Sequence, residues 1–381
     1  MTNKKICIIT GTRAEYGLFY PVMLKIKNSD SLELQIIATT MHFSEEFGLT
    51  YKHIEADGFK IDEKIENLLA IDSKSGMAKS TGLAIILLSD AFARLEPDIV
   101  LLLGDRFETH AAATTAMLMN IPIAHIHGGE ITEGAVDEKI RHSITKMAFL
   151  HFTSVIEYKN RVIQMGETPE RVFHVGAPGL DNILNMPLLD KKTLEEKIQW
   201  QVRSPTALFT FHSETLSSSD SKQQIDEILS AIKKSGVNVL FTYANADNGG
   251  RFINQTLEYF VSDNRQKYHI EKNLGQLKYL SALKYVNLLI GNTSSGIIEA
   301  ASFYQPVVNI GNRQKGRLQS GNVINCEIDD LSEAITKALS SGFVEQCRSI
   351  TNIYGKGNAA EKIVSRLEKH TFSCVKRFHD L

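Results

Sequence analysis

Twice along this chain a series of short β-branched runs alternates with longer helical patterns, and that repetition limits the possible folds more than any single motif. Such alternation argues for βαβ units and mainly parallel sheets. The first series places strands at Lys5–Thr10, Leu34–Ala38, Asp98–Leu103, Ile123–Ile126, Leu150–Thr153 and Val172–Val175. Their near-continuous apolar character suits strands covered on both faces. The second series follows a polar, lysine-rich stretch near Leu188–Gln201, with strands at Ala207–Phe211, Val237–Tyr243, Tyr268–Ile270, Asn287–Ile290, Pro306–Asn309 and Val323–Cys326. A chain of 381 residues is too long for one ordinary core, so two doubly wound domains are expected, residues 1–178 and 179–356. The last helical pattern, Ala359 to Glu368, lies in a segment 357–381 expected to cross back onto the first domain.

In open sheets of this kind ligands gather at the carboxyl ends of the strands. Polar residues stand there in both series: Gly11-Thr12-Arg13, Gly104-Asp105-Arg106, His212 and Asn292-Thr293-Ser294. Two such edges facing each other would form an active-site cleft.

Composition narrows the functional classes. Apolar residues at 43% and charged residues at 23% exclude a disordered chain, and no uninterrupted apolar run has the length of a membrane span. Met1 to Lys5 leads straight into Ile6-Cys7-Ile8-Ile9, too short for a signal-peptide core, so a cytoplasmic protein is expected. Cys7, Cys326, Cys347 and Cys374 form no C-x-x-C pair and suggest neither a zinc site nor a disulfide framework. A formal charge of −2 gives no bias toward nucleic acid, and the short basic run from Lys369 to Arg377 reads as a solvated tail.

The chemistry-bearing residues fall into five groups. Gly11-Thr12-Arg13-Ala14-Glu15-Tyr16-Gly17 opens a helix after the first strand, where backbone amides and Arg13 can meet an anion; the plainer reading is a glycine turn with an exposed arginine. Asp105 and Arg106 follow the buried run Ile99–Leu103, where charge is costly unless paired or used, either as a structural ion pair or for proton transfer. His125 and His127 share a strand end and, by alternation, one side. They could bind a metal, but no third ligand is evident, so cleft polarity is favoured. Asp137 and Glu138 open the next helix, and Asp137 with Arg141 and Glu138 with His142 are i,i+4 pairs on a charged surface. Gly291-Asn292-Thr293-Ser294-Ser295-Gly296 joins a buried strand to a helix and offers hydroxyls and amides to a phosphate. One turn on, Glu299 repels phosphate but can accept both hydroxyls of a ribose.

In this order the motifs resemble those of the UDP-N-acetylglucosamine 2-epimerases, over nearly the whole chain. They include Ile140-Arg141-His142-Ser143-Ile144-Thr145-Lys146 and His125-Ile126-His127-Gly128-Gly129-Glu130 besides the segments above. The resemblance implies a GT-B-like fold of two Rossmann-like domains with an interdomain active-site cleft. By matching position it implies a nucleotide set of Arg13, Arg106, His212, Asn245, Thr293, Ser294, Glu299 and Arg313. The acid–base carboxylates fall on Asp105 and Asp137. Many relatives carry another glutamate before the Gly-Gly pair, where this chain has His127; the third catalytic group is then His127 or Glu130. Gly-Thr-Arg-Ala-Glu-Tyr-Gly, in place of Gly-Thr-Arg-Pro-Glu, resembles the hydrolysing branch.

What this implies is loss of the carbon 2 proton and of UDP to give a glycal, then hydration to free N-acetylmannosamine, as in sialic-acid synthesis. Some relatives act instead on a UDP-2,4-diacetamido-trideoxy sugar of the legionaminic acid pathway. Arg13, helix-terminal amides and a protonated His212 are expected to stabilise the departing diphosphate without a metal or other cofactor. A homodimer or homotetramer is expected, with no nucleic-acid or membrane partner. The rival readings are a glycosyltransferase of the same fold, which needs an acceptor, and a non-catalytic nucleotide-sugar sensor, which turnover would exclude.

Overall fold

A computed structural model describes residues 3–45, 48–69, 74–133, 136–212, 221–244 and 250–381. The chain divides into two compact units. One comprises Met1–Ile131, Ala135–Asn182 and Tyr354–Leu381; the other comprises Thr132–Gly134 and Ile183–Ile353.

The first unit holds seven parallel strands: β1 (Lys4–Thr10), β2 (Leu32–Thr39), β3 (Glu63–Ile65), β4 (Ile99–Leu103), β5 (Ile123–Ile126), β6 (Leu150–Thr153) and β7 (Val172–His174). Their spatial order is β3-β2-β1-β4-β5-β6-β7, all neighbours parallel. The apolar runs explain this placement. Along β1, Ile6 and Ile8 enter one buried cluster while Cys7 and Ile9 enter the other; along β4, Ile99, Leu101 and Leu103 alternate in the same way with Val100 and Leu102. Period-two alternation between two apolar faces requires helices on both sides of the sheet. The helix Arg13–Lys27 covers one side with Phe19, Val22, Met23 and Ile26, and Lys74–Leu95 covers the other with Ala84, Leu88, Ala91 and Phe92. The segment Ser75–Leu95 has the length and hydropathy of a membrane span, yet these four side chains are part of a core.

The second unit holds six parallel strands: β8 (Thr206–Thr210), β9 (Asn238–Thr242), β10 (Tyr268–Glu271), β11 (Leu288–Gly291), β12 (Val307–Ile310) and β13 (Val323–Cys326). Their order is β10-β9-β8-β11-β12-β13. Ala207 and Phe209 face one core and Leu208 the other; Leu288 and Ile290 alternate likewise with Leu289. Each sheet reverses its winding once, between β1 and β4 in the first unit and between β8 and β11 in the second. Such reversals are where doubly wound sheets open a crevice beyond their strand ends.

Two expectations are corrected. The first series of strands also includes β3, too short to show as an apolar run: three residues at the sheet edge, Glu63-Lys64-Ile65, held by Asp62, whose amide donates to the Ile36 carbonyl and whose carboxylate accepts from the Ile36 amide, each at 2.9 Å. The basic tail is docked, not solvated. Lys376 Nζ lies 2.7 Å from Glu167 Oε2 and also donates to the Lys146 and Ala148 carbonyls, while the His379 amide donates to the Gly166 carbonyl at 3.0 Å. The reason is Glu167, a buried carboxylate that pairs with Lys146 and Lys376 and accepts a hydrogen bond from His151. Burial opposes its ionisation, but these partners hold it down at about 2. The helix Ala359–Lys369 completes the same unit, placing Ala360, Ile363, Val364 and Leu367 in its core.

Candidate active site

Beyond β1 and β4, at the reversal of the first sheet, the chain turns sharply into helices. Thr12 caps the helix Arg13–Lys27 by accepting the Glu15 amide at 3.2 Å, which sets Arg13 half-buried in the first helical position. Burial lowers the Arg13 pKa, a sign that the guanidinium is held away from bulk water. Two buried carboxylates brace the turn. Glu15 Oε2 accepts the Gly11 amide at 2.6 Å, and Glu108 takes Arg106 Nε at 2.5 Å. Burial, with Glu108 nearby, pushes the Glu15 carboxyl upward. Arg106 resists the cost of its own burial through Glu108, Glu15 and Asp137, and its pKa is raised.

Asp105 stands one glycine beyond β4, and its carboxylate pairs with Arg141 of the helix Val136–Met147. Arg141 was expected on a charged helix surface; it is 1% exposed. Besides Asp105 it reaches Glu138 Oε2 at 3.4 Å and the Glu130 carbonyl at 3.0 Å. Its own helix, through Glu138, and two other segments, through Asp105 and Glu130, thus supply the groups that make its burial tolerable. Asp137 remains exposed in the first turn of the same helix, and Glu138 also meets His142 Nε2 at 3.1 Å, the i,i+4 pairing expected.

The two histidines do not share a side as expected. β5 ends at Ile126, and His127 has a left-handed φ of 68°, so strand alternation does not extend to it. His125 is enclosed, with Nε2 2.8 Å from the Gly104 carbonyl and Nδ1 3.2 Å from Thr145 Oγ1. Burial holds it neutral, with a pKa of about 3. His127 Nδ1 is 2.5 Å from Glu130 Oε1, which also accepts Ser154 Oγ at 2.8 Å. Among the described residues no group of three or more His, Cys, Asp or Glu side chains could hold a metal ion.

The second unit builds its own constellation at the β8/β11 reversal. Asn292, just past β11, exchanges two hydrogen bonds with the His212 backbone, each 2.8 Å, and so ties the two strand ends together. Its carbonyl accepts Arg313 Nη1 at 3.1 Å and Gln314 Nε2 at 2.9 Å. Thr293 caps the turn Ser294–Ile298, and Ser295 Oγ donates to the Glu299 carboxylate. Burial raises Glu299 to about 6, against the help of Ser295. Gly291 permits this approach: at φ 140°, an added Cβ would lie 1.8 Å from the Thr210 carbonyl oxygen. Gly291→Ala should therefore displace β11 from β8 and lower the thermal midpoint, read by scanning calorimetry; an unchanged midpoint would exclude the effect.

The structure thus gathers Arg13, Asp105, Arg106, His127, Glu130 and Asp137 on the first unit, and His212, Thr293, Ser294, Glu299 and Arg313 on the second. Asn245 lies outside the described residues. Protonation of His212 in the free protein is not supported: burial and the adjacent Arg313 hold its pKa near 3.

The family model for UDP-N-acetylglucosamine 2-epimerase matches residues 24–368. The chain belongs to this family. As one of these epimerases it is 45% identical, over 90% of its length and 89% of the relative's, to the Campylobacter jejuni protein named GDP/UDP-N,N'-diacetylbacillosamine 2-epimerase (hydrolyzing). It is 37% identical to the Escherichia coli polysialic acid biosynthesis protein P7, over 99% of the chain and 98% of the relative. The solved UDP-GlcNAc 2-epimerase of Neisseria meningitidis, bound to UDP-GlcNAc, superposes with a TM-score of 0.81 at 20% identity, covering 96% of this chain and all of that one. The GT-B-like fold of two Rossmann-like units is therefore shared. In this epimerase Arg141, Asn292 and Glu108 support the site; of these, the strand-end pattern marks Asn292 and no pattern marks Glu108. Arg141 lies inside a motif, but helical spacing assigns it to the surface.

Proposed function

We propose that this chain is a hydrolysing UDP-sugar 2-epimerase whose substrate is UDP-N,N'-diacetylbacillosamine, a 2,4-diacetamido-trideoxy sugar nucleotide. The observation that carries the chemistry is the Asp105 carboxylate fixed by a buried Arg141. A carboxylate held at a strand end by an arginine is oriented without being consumed, since one oxygen is engaged and a second remains for a proton. Asp105 and Asp137 divide the proton transfers. One removes the proton at carbon 2; the C–H electrons form the carbon 1–carbon 2 double bond as the bond from carbon 1 to UDP breaks. Water then adds at carbon 1, and carbon 2 receives a proton on the opposite face. The His127–Glu130 pair supplies the third proton-transfer group.

The nucleotide set, Arg13, Arg106, His212, Asn245, Thr293, Ser294, Glu299 and Arg313, holds UDP in this reading. Neutral His212 donates a single N–H to the diphosphate, and the arginines carry the charge stabilisation. The substrate reading is supported by the C. jejuni relative. A second reading, UDP-N-acetylglucosamine giving N-acetylmannosamine for sialic-acid-type sugars, is favoured by the E. coli relative named for polysialic acid biosynthesis.

The test is incubation with each UDP-sugar in deuterated water, followed by proton NMR. Free UDP and a free 2-epimerised sugar deuterated at carbon 2 are expected, faster with the diacetamido substrate. An epimerised sugar still joined to UDP would overturn the hydrolytic reading, and a faster rate with UDP-N-acetylglucosamine would overturn the substrate assignment.

A further inference from the structure

The second unit contains a phenol that its packing does not explain. Tyr279, on the helix Gly275–Tyr285, packs its ring against an apolar cluster, but its Oη is buried and makes no hydrogen bond of normal geometry. A phenylalanine would fill the same space without stranding a hydroxyl, and stranded hydroxyls are unfavourable. The groups facing the phenol are the hydroxyls of Ser295 and Thr210 and the Glu299 carboxylate, and burial with Glu299 nearby pushes its pKa upward.

Counting hydrogens fixes the direction of every bond here. Thr242 Oγ1 donates to the Phe209 carbonyl at 3.1 Å, so in the 2.7 Å contact between Thr210 and Thr242 the hydrogen comes from Thr210. Ser295 spends its hydrogen on Glu299. Ser295 and Thr210 are left with vacant lone pairs, and the phenol is the donor that faces them.

We propose that Tyr279 is a positioning residue of the nucleotide site: when a nucleoside diphosphate is seated, its phenol donates to Ser295 Oγ, and through Ser295 it keeps Glu299 turned as acceptor for the two vicinal hydroxyls of ribose. This rests on the reading of Glu299 given above. Tyr279 touches no substrate in this scheme; it selects for an intact ribose by holding the acceptor.

The test compares UDP with 2′-deoxyuridine 5′-diphosphate by calorimetry. Wild-type protein should bind UDP more tightly. Tyr279→Phe should lose roughly 5–10-fold in UDP affinity, about the worth of one hydrogen bond, with the deoxy nucleotide unaffected, so that the preference falls by the same factor. The pH profile should move as well. Ribose binding requires ionised Glu299, which burial has raised to about 6; among the described residues Tyr279 from the neighbouring helix and Ser295 from its own turn are the groups shown to act with it. Losing the donor disfavours the anion, so the acid limb of UDP affinity should shift to higher pH. Ser295→Ala should lower the preference in the same way. An unchanged preference and pH limb in a Tyr279→Phe protein with wild-type thermal midpoint would overturn the proposal. Glu299→Gln separates the two readings: if it leaves the preference intact, Glu299 does not hold ribose; if it abolishes the preference and Tyr279→Phe does not, the Tyr279 assignment alone fails.

Discussion

Asp105→Asn should reduce turnover by roughly 10²–10⁴-fold, the usual scale for a positioned proton-transfer group, and leave UDP affinity unchanged. The amide keeps an oxygen to accept from Arg141 and nearly the same volume, but it cannot take up a proton. Arg141 also keeps Glu138 and the Glu130 carbonyl, so the fold should persist. Steady-state turnover and calorimetry with UDP together decide the role. If the folded variant no longer binds UDP, Asp105 belongs to nucleotide binding and not to the chemistry.

Arg141→Leu should have the opposite profile, with its largest effect on stability. Removing one member of a buried charge cluster typically costs about 3–5 kcal/mol, because the remaining groups lose their compensation. Here the lower end is expected, since the side chains of Asp105 and Glu138 are 23% and 26% exposed and can partly hydrate. The Glu130 carbonyl loses a donor as well. For a unit of this size each kcal/mol corresponds to roughly 2–4 °C, so scanning calorimetry should show a clear fall in the thermal midpoint. A midpoint within a degree or so of wild type would mean that Arg141 is held for catalysis alone.

These two variants meet at one ion pair, and that pair also shows where reading the chain residue by residue stops. Runs such as Ile99–Leu103 and Leu288–Ile290 identify themselves, because a strand buried on both faces has little use for polar residues. The glycines and charges immediately after such runs mark the strand ends, which is why Arg13, Asp105, His212 and Thr293 could be located without coordinates. Arg141 could not be placed in the same way. Its burial depends on Asp105 and Glu130 converging from other segments on a helix that already carries Glu138, and helical periodicity by itself turns an arginine outward. His127 illustrates a local limit: alternation holds only while the strand lasts, and one left-handed residue after Ile126 ends it. The protonation of His212 depended on an environment, apolar burial beside Arg313, that no adjacent residue announces. The pairing of Lys376 with Glu167 spans more than two hundred residues, and the tail alone resembles any exposed basic run.

The interrupted path of the first unit also bears on the order in which the protein can mature during synthesis. Domains generally fold as they emerge, amino-terminal part first. Here the helix Ala359–Lys369, which fills the first unit's core, is translated only after Ile353, where the second unit closes. A nascent chain carrying the whole second unit still lacks Ile363 and Leu367, and the face of Phe19 and Ile26 that belongs to their cluster remains incomplete. The unit begun first is therefore the unit finished last, and a ribosome stalled between residues 353 and 363 would hold it open.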